Sequence, residues 1–197
     1  NSFYSLYEND ILNISNKLDF NKNKEKIFNF LNKNIILLAL KKIILCDVKL
    51  ELILTSIRKT ICDKIANQKE YIHQSELNVI IALASQCFLN EYVYYTTKEE
   101  NIFVEKIIQR CKSGKINEIN ISIISCYMPL YKLLNRTLKL TSIEPISIAF
   151  KELMNIQIHE PLKEIELSKN LKKIGTIKDY ISKEVKTQYD KNPYPRW

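Results

Sequence analysis

The side chains best suited to catalysis or metal binding are few and widely separated in this sequence. His73 and His159 carry its only imidazoles, and each stands just ahead of a predicted helix, where an exposed or capping role is expected. The cysteines are odd in number and form no C-x-x-C pair, which favours neither a disulfide framework nor a zinc site. They are Cys46, Cys62, Cys87, Cys111 and Cys126. We therefore expect buried, reduced thiols and no metal site.

Loops that hold phosphate or a dinucleotide are also missing. The chain has two glycines, too few for a glycine-rich phosphate loop, and it contains no G-x-G-x-x-G, H-E-x-x-H or G-x-S-x-G motif. We therefore expect no catalytic residue and no cofactor within these 197 residues.

An unusual string of polar and aromatic residues ends an otherwise apolar helix. Gln86 and Asn90 are one helical turn apart, so their amides share a face and can hydrogen-bond each other or a neighbouring helix. One interpretation is a buried polar network that fixes packing. The alternative is a ligand or partner pocket edged by tyrosine rings, which combine apolar area with a polar tip. Both interpretations involve the same side chains, Gln86, Asn90, Glu91, Tyr92, Tyr94 and Tyr95.

Helical periodicity dominates the elements that must position these residues. Apolar side chains recur at steps of three and four, and two glycines with five prolines leave few β-turns. We predict an all-α fold of about seven to nine helices, in a compact bundle or an orthogonal helical array, with an extended C-terminal tail. The predicted helices cover about residues 27–45, 47–66, 75–88, 97–114, 117–126, 129–134, 145–157, 161–170 and 176–189.

Three segments follow from this pattern. Residues 1–24 form a polar, partly helical extension, residues 25–189 form the helical domain, and residues 190–197 form a proline-rich linker. Alternating Pro193 and Pro195 impose extended geometry on that linker.

Several helix ends carry capping signals. Asp47 and Ser75 are predicted N-caps, and Thr97 with Glu100 has the spacing of a capping box. Gly114 follows where a left-handed residue is favoured at a helix end.

Two of these helices have clear polar and apolar faces. The helix after Asp47 is predicted to expose Lys49, Glu51, Arg58 and Lys59. The helix after Thr97 is predicted to bury Ile102, Phe103, Ile107 and Ile108.

The net charge and the apolar stretches limit the classes of partner. The formal charge of +8 permits attraction to nucleic acid, but the basic residues are spread along the chain, so this partner is not favoured. Lys41 and Lys42 interrupt the longest apolar stretch well short of a membrane span. The chain begins at Asn1 without a leader, and we interpret it as a fragment of a cytoplasmic protein.

Four strings of the sequence are similar to those of one protein family. They are ALASQCFLNEYV at Ala82–Val93, CYMPL at Cys126–Leu130, QIHEPLKE at Gln157–Glu164 and VKTQYDKNPYPRW at Val185–Trp197. They resemble bacterial proteins that join tetratricopeptide repeats, a helical segment and a class I S-adenosylmethionine-dependent methyltransferase domain. The last string is the most specific of the four. Tetratricopeptide repeats themselves are not evident in this sequence.

The resemblance implies a place for the chain and for its cofactor. The chain is similar to the helical segment that precedes the methyltransferase domain, and S-adenosylmethionine is expected in that downstream domain. The final residues are expected either to contact that domain through aromatic and guanidinium anchors or to act as a stiff spacer. These candidate interdomain contacts are Asn192, Pro193, Tyr194, Pro195, Arg196 and Trp197.

Three functions are then open. The first is a non-catalytic accessory domain of a methyltransferase, which positions a substrate or partner or covers the catalytic domain. The second is a helical protein–protein interaction module that binds its partner in a groove. The third is a basic nucleic-acid-binding domain, whose association would depend strongly on salt.

Overall fold

Helices account for the regular structure of the described residues. The computed structural model describes residues 20–68, 71–134, 147–171 and 179–191. These ranges contain nine helices and no strand, which confirms the predicted all-α class and the number of helices.

The described residues between 20 and 134 form seven helices. They are α1 (Phe20–Leu31), α2 (Asn34–Lys42), α3 (Val48–Asn67), α4 (Gln74–Leu89), α5 (Lys98–Lys112), α6 (Glu118–Ile124) and α7 (Tyr131–Leu134). Helix α8 runs continuously through an α-helical part (Ile148–Met154), a π-helical turn (Asn155–His159) and a second α-helical part (Glu160–Lys169). Helix α9 covers Tyr180–Lys191.

Helix α4 is central. Every side chain from Val79 to Cys87 is buried, as the apolar circumference of this helix predicts. It packs against α1, α2, α3, α6 and α8, each of which contributes an apolar stripe to one core.

The predicted caps of α3 and α5 are confirmed. Asp47 Oδ1 accepts the Leu50 N–H at 2.8 Å, which satisfies one of the free donors at the start of α3. Thr97 Oγ1 accepts the Glu100 N–H at 3.2 Å, and Glu100 Oε2 accepts the Thr97 N–H at 2.8 Å. Gly114, at φ +94°, takes the left-handed conformation after α5.

Helix α4 begins earlier than predicted. His73, not Ser75, is its N-cap, and the His73 N–H donates to Glu76 Oε2 at 2.9 Å. Gln74 and Ser75 are exposed, and the first buried residue of α4 is Glu76. The apolar pattern therefore does not mark where this helix begins.

The buried stripe of α5 is also displaced from the predicted one. Ile102 is 67% exposed, and Phe103 is half-buried. The apolar side chains that reach the core are Val104, Ile107, Ile108 and Cys111.

The single helix predicted over residues 27–45 is wrong, because the chain forms α1 and α2 there. The Asn32 side chain donates to the Phe28 carbonyl at 2.9 Å and so competes with the helical backbone. Lys33 then adopts an extended conformation ahead of α2. Both helices pack on α4, so the apolar spacing continues across the break.

The two helices predicted on either side of Pro161 are one helix. Proline lacks an N–H, and its ring crowds the carbonyl four residues earlier, here that of Gln157. The π-helical turn widens the backbone at this point, and the Glu160 N–H donates to the Asn155 carbonyl five residues before it. Helix α8 therefore continues through the proline.

The chain divides into two compact units, Asn1–Leu162 and Lys163–Trp197. The helical domain predicted over residues 25–189 spans both units. In the second unit Asp179 Oδ2 accepts the Ser182 N–H at 2.9 Å at the start of α9.

Helix α9 ends later than predicted. It includes Asp190 and Lys191, which were assigned to the extended linker. Pro193 disfavours a helical conformation only for the residue directly before it, so residues 190 and 191 are free of that restriction.

Within the described ranges, no helix combines the length and the apolarity needed to cross a bilayer. Some predictions fall outside those ranges. They concern the N-terminal extension up to residue 19, the starts of the helices predicted over residues 145–157 and 176–189, and the tail from Asn192 to Trp197.

Candidate functional site

Arg58 lies inside the core, although it was predicted on the exposed face of α3. Its side chain is 1% exposed. Nη2 donates to the Tyr95 carbonyl at 2.6 Å, to Thr96 Oγ1 at 3.2 Å and to Glu100 Oε1 at 3.3 Å. Periodicity places a charged residue on the polar face, but a guanidinium with a buried carboxylate partner can occupy a core.

Glu100 is that partner, and it is 2% exposed. Besides the Thr97 N–H, its Oε2 accepts the Thr97 hydroxyl at 2.9 Å. Its Oε1 accepts the Tyr127 hydroxyl at 2.9 Å. Cζ of Arg58 also lies 4.4 Å from the centroid of the Tyr127 ring, a cation–π contact. The capping carboxylate of α5 thus links α3, α5 and the turn after α6.

The surroundings of Glu100 hold its pKa below the ordinary value. Burial alone raises the pKa of this carboxyl. Hydrogen bonds from Thr97 and Tyr127, together with the charge of Arg58, outweigh that effect.

We expect Glu100 to contribute to the acid sensitivity of the fold. Its pKa is lower in the folded state than the reference of 4.5, so its contribution is complete above that pH and is lost as the pH falls through the folded pKa. As the pH is lowered from about 5 to 3, the free energy of unfolding should therefore fall less for Glu100→Gln than for the unaltered chain. Urea denaturation at a series of pH values measures this, and equal pH dependence in the two proteins would contradict it.

Buried thiols surround the ion pair. Burial raises the pKa of Cys62 to about 12 and that of Cys126 well above its ordinary value, so both stay protonated at neutral pH. A hydrogen bond from Cys126, aided by Arg58, lowers the pKa of Cys87. All five cysteines are free thiols, as predicted, but Cys46 is exposed rather than buried.

Gln157 joins three parts of the core from the middle of the π-helical turn, and it is fully buried. Its Nε2 donates to the carbonyls of Ala84 at 3.0 Å and Ser125 at 3.2 Å. Its Oε1 accepts the Leu130 N–H and the Tyr92 hydroxyl, each at 3.3 Å. Both ends of the amide are therefore used, and α8 is tied to α4 and to the turn after α6.

Gln86 is equally buried, but neither of its amide atoms has a hydrogen-bond partner. Asn90 Oδ1 accepts the Tyr92 N–H at 3.1 Å, while Asn90 Nδ2 has none. Burial raises the pKa of Tyr94, and the Asn90 amide beside its hydroxyl partly offsets that rise by stabilising the charged form. The sequence left two alternatives open for Gln86, a hydrogen bond to Asn90 or one to a neighbouring helix, and neither is found.

The turn after α4 holds two non-glycine residues in the left-handed conformation, Glu91 at φ +57° and Tyr92 at φ +62°. The Tyr92 N–H reaches the Cys87 carbonyl at 2.8 Å, and the Glu91 N–H reaches that of Phe88 at 3.2 Å. This is the Schellman pattern, in which glycine is usual at the position of Glu91. Each left-handed residue costs about 1–2 kcal/mol, so the surrounding contacts must hold the turn in place.

Across the described part of the chain, no group of three or more His, Cys, Asp or Glu side chains is placed to hold a metal ion. Comparison with models of protein families, with curated proteins and with solved structures gives no match. What this chain does must therefore be inferred from its own residues.

The side chains predicted as a network or pocket lie in different environments. Gln86 and Tyr94 are buried, Asn90 and Tyr92 are half-buried, and Glu91 and Tyr95 are exposed. The six candidate interdomain contacts lie outside the described residues. His73 and His159 are both exposed, in agreement with their expected roles.

Four buried or half-buried side chains, which we call the polar core, were missed by sequence reasoning. They are Arg58, Glu100, Tyr127 and Gln157. Glu100 was recognised only as a cap, and Tyr127 and Gln157 only as letters in two strings of the resemblance. Arg58 was placed on the wrong face. One signal in the sequence pointed to burial of Arg58. The residue four positions before it, Leu54, and the residue three positions after it, Ile61, are both apolar.

Proposed function

We propose that this chain is a non-catalytic helical domain that docks on an adjoining S-adenosylmethionine-dependent methyltransferase domain, where it positions a substrate or partner or covers the catalytic entrance. An exposed aliphatic surface carries the proposal. Six aliphatic side chains that follow one another along the chain are 44–73% exposed. The aliphatic surface consists of Ile35, Leu38, Ile43, Ile44, Val48 and Leu52.

The spacing of these residues supports a common function. Ile35 and Leu38 are one turn apart on α2, and Val48 and Leu52 are one turn apart on α3. Ile43 and Ile44 lie between the two pairs. Single exposed aliphatic residues are ordinary, whereas one contiguous exposed patch is typical of an interaction site, and we propose that these six side chains form such a patch.

Charge at the edge of the aliphatic surface indicates the chemistry of the partner. Lys42 and Lys49 are exposed beside it. A partner with an apolar centre and an acidic rim therefore fits it best, because complementary rim charges favour encounter and orientation.

The resemblance to methyltransferase fusion proteins supplies the identity of the partner. Tyr92, Leu130 and Gln157 belong to three different strings of that resemblance, and the Gln157 amide joins them in the core. These hydrogen bonds inside the core support a structural role for the three residues rather than a role in cofactor binding. We therefore propose that S-adenosylmethionine binds in the methyltransferase domain.

Calorimetric titration tests the non-catalytic assignment. S-adenosylmethionine and S-adenosylhomocysteine are titrated into this chain and into the same chain extended through the following domain. We expect binding only by the extended protein. Binding by this chain alone would overturn the assignment.

Substitution within the aliphatic surface tests docking. Leu38→Asp combined with Val48→Asp should weaken association with the separately produced methyltransferase domain at least tenfold, about 1.4 kcal/mol, because two apolar contacts are replaced by charges that an acidic rim repels. The matched control is Ile102→Asp with Ile148→Asp, which alters two exposed isoleucines elsewhere. Equal affinities for the two double variants, measured by surface plasmon resonance, would contradict the proposal.

A module that binds a separate protein is the second candidate. The exposed Val93 and Tyr95 favour it, since the Arg58 bond to the Tyr95 carbonyl holds this apolar segment at the surface. In that case the methyltransferase domain does not bind the aliphatic surface, and the association measurement separates the two candidates. A cytoplasmic location belongs to both proposals, and the free thiols support it.

A further inference from the structure

The segment after α4 presents two large apolar side chains at the surface. Val93 and Tyr95 are 73% and 76% exposed, whereas Tyr94 between them is 4% exposed. The ring of Tyr94 is therefore buried in the domain while both of its neighbours face outward. The contacts that Tyr94 and Tyr95 make with α3 indicate where these exposed side chains lie.

Both main-chain and side-chain contacts place this segment on α3. Arg58 Nη2 donates to the Tyr95 carbonyl at 2.6 Å. Burial raises the pKa of Tyr94, and nearby groups that include Glu51 and Cys46 raise it further, so its ring lies near the start of α3. Glu51 and Arg58 are seven residues apart, which is about two turns along one face of the helix. The segment therefore follows that face of α3 over about 10 Å.

Part of the aliphatic surface borders the same face of α3. Val48 is three residues from Glu51 and four from Leu52, so the three side chains are neighbours on the helix. Val48 and Leu52 are 73% and 49% exposed. The segment that carries Val93 and Tyr95 therefore runs alongside this exposed pair.

We propose that Val93 and Tyr95 extend the aliphatic surface across α3, and that the adjoining methyltransferase domain covers both parts in a single contact. This inference rests on the proposed docking and names a further part of the same site. The two exposed side chains then belong to the first candidate function and not to a separate binding site.

The charge at the edge of the surface favours a different domain over a second copy of this chain. A two-fold symmetric contact brings the same surface of each copy together. The exposed Lys42 and Lys49 of both copies would then share one interface, where like charges oppose association. An acidic rim on another domain attracts these lysines instead.

The segment is held in place before any partner binds. Besides the Tyr95 carbonyl, Arg58 Nη2 bonds to the Thr96 hydroxyl at 3.2 Å. A surface that is already held loses less conformational entropy on association. Tyrosine is enriched among the residues that dominate interfaces, because its ring combines a large apolar area with a polar tip. We therefore expect Tyr95 to contribute more to docking than Val93.

A paramagnetic label at Cys46 tests the position of the segment without the partner. Cys46 is exposed and the other four cysteines are buried, so a nitroxide reagent labels this thiol selectively. In the ¹⁵N-labelled full chain we expect strong broadening of the Val93 and Tyr95 amide signals. Tyr71 is the control, because it follows the far end of α3, about 30 Å along that helix. Unbroadened signals at Val93 and Tyr95 would overturn the proposal.

Substitution of Tyr95 tests whether the partner covers this extension. Tyr95→Asp should weaken association with the separately produced methyltransferase domain about tenfold, as measured by surface plasmon resonance. Arg58 bonds to the main-chain carbonyl of Tyr95, so the substitution leaves that bond in place. Tyr71→Asp is the matched control, because Tyr71 is also 76% exposed, and it should leave the affinity unchanged.

The outcomes separate this inference from the proposed function. If Leu38→Asp with Val48→Asp weakens association and Tyr95→Asp does not, the domain covers only the aliphatic surface and this inference is wrong. If the unaltered chain does not bind the domain, or none of these variants weakens binding, the proposed docking is wrong and the inference fails with it. Self-association of the chain that Tyr95→Asp abolishes, measured by sedimentation, would identify a second copy as the occupant and would also overturn the proposal.

Discussion

Arg58→Met should lower the free energy of unfolding by about 3–5 kcal/mol, the usual cost of removing one partner of a buried ion pair. Methionine fills much of the same volume, so the loss arises from hydrogen bonds and charge rather than from a cavity. It leaves the Tyr95 carbonyl and Thr96 without this donor, and it leaves Glu100 ionised in the core without a cation. Urea denaturation at pH 7 measures the change.

The adjacent lysine provides the control. Lys59 pairs with Glu99 at 2.8 Å, a shorter separation than the 3.3 Å between Arg58 and Glu100, but both members of that pair are exposed. Solvent screens an exposed pair, so Lys59→Met should leave stability unchanged within error. If the two variants are destabilised equally, burial is not what gives the Arg58 pair its effect.

A double variant separates loss of the pair from loss of packing. Glu100→Gln removes the charge that Arg58→Met leaves behind, so the combined variant should be more stable than Arg58→Met alone. The amide oxygen of the glutamine can still accept from the Thr97 hydroxyl, and its NH₂ group can donate to the Tyr127 hydroxyl oxygen. A combined loss equal to the sum of the two single losses would mean that the two side chains act independently.

Local features of this fold were predictable from the sequence. The caps at Asp47, Thr97 and Gly114 depend on residues within one turn, and all three are found where the sequence places them. The all-α class follows from periodicity and from the scarcity of glycine. The errors at Asn32 and Pro161 also have local causes, a side chain that competes for a carbonyl and a widened turn that accommodates a proline, but neither alters the apolar spacing.

The polar core was not predictable, because its partners are distant in the chain. Arg58 and Glu100 are 42 residues apart, and Gln157 reaches a carbonyl 73 residues away. Helical periodicity assigns a residue to a face of its own helix and carries no information about a carboxylate on another helix. Gln86 and Asn90 show the converse error, since their spacing on one helix suggested a bond that the structure does not contain.

The polar core also explains how the segment after α4 is held in place. Arg58 fixes the Tyr95 carbonyl, and Gln157 fixes the Tyr92 hydroxyl. Between these anchors, Val93 is exposed while Tyr94 is buried. A surface segment supported by buried hydrogen bonds loses little conformational entropy on binding.

Gln157→Met should lower the free energy of unfolding by about 3 kcal/mol, because buried groups on both sides of the amide lose their partner. The Leu130 N–H and the Tyr92 hydroxyl lose their acceptor, and the carbonyls of Ala84 and Ser125 lose a donor. The left-handed Tyr92 also loses the contact that holds its ring, so the turn after α4 should open more readily. Urea denaturation measures the first effect, and amide hydrogen exchange at Glu91 and Tyr92 measures the second.

The exposed Gln109 on α5 is the matched control, and Gln109→Met should change neither measurement, because water can replace the side chain there. The two readouts together separate a local role from a general loss of packing. If Gln157 acts through the turn, exchange at Glu91 and Tyr92 accelerates more than exchange in α3, which the amide does not touch. Uniform acceleration across both regions would mean that Gln157 supports the core as a whole, and that the turn after α4 is held by the Schellman bonds and Arg58 alone.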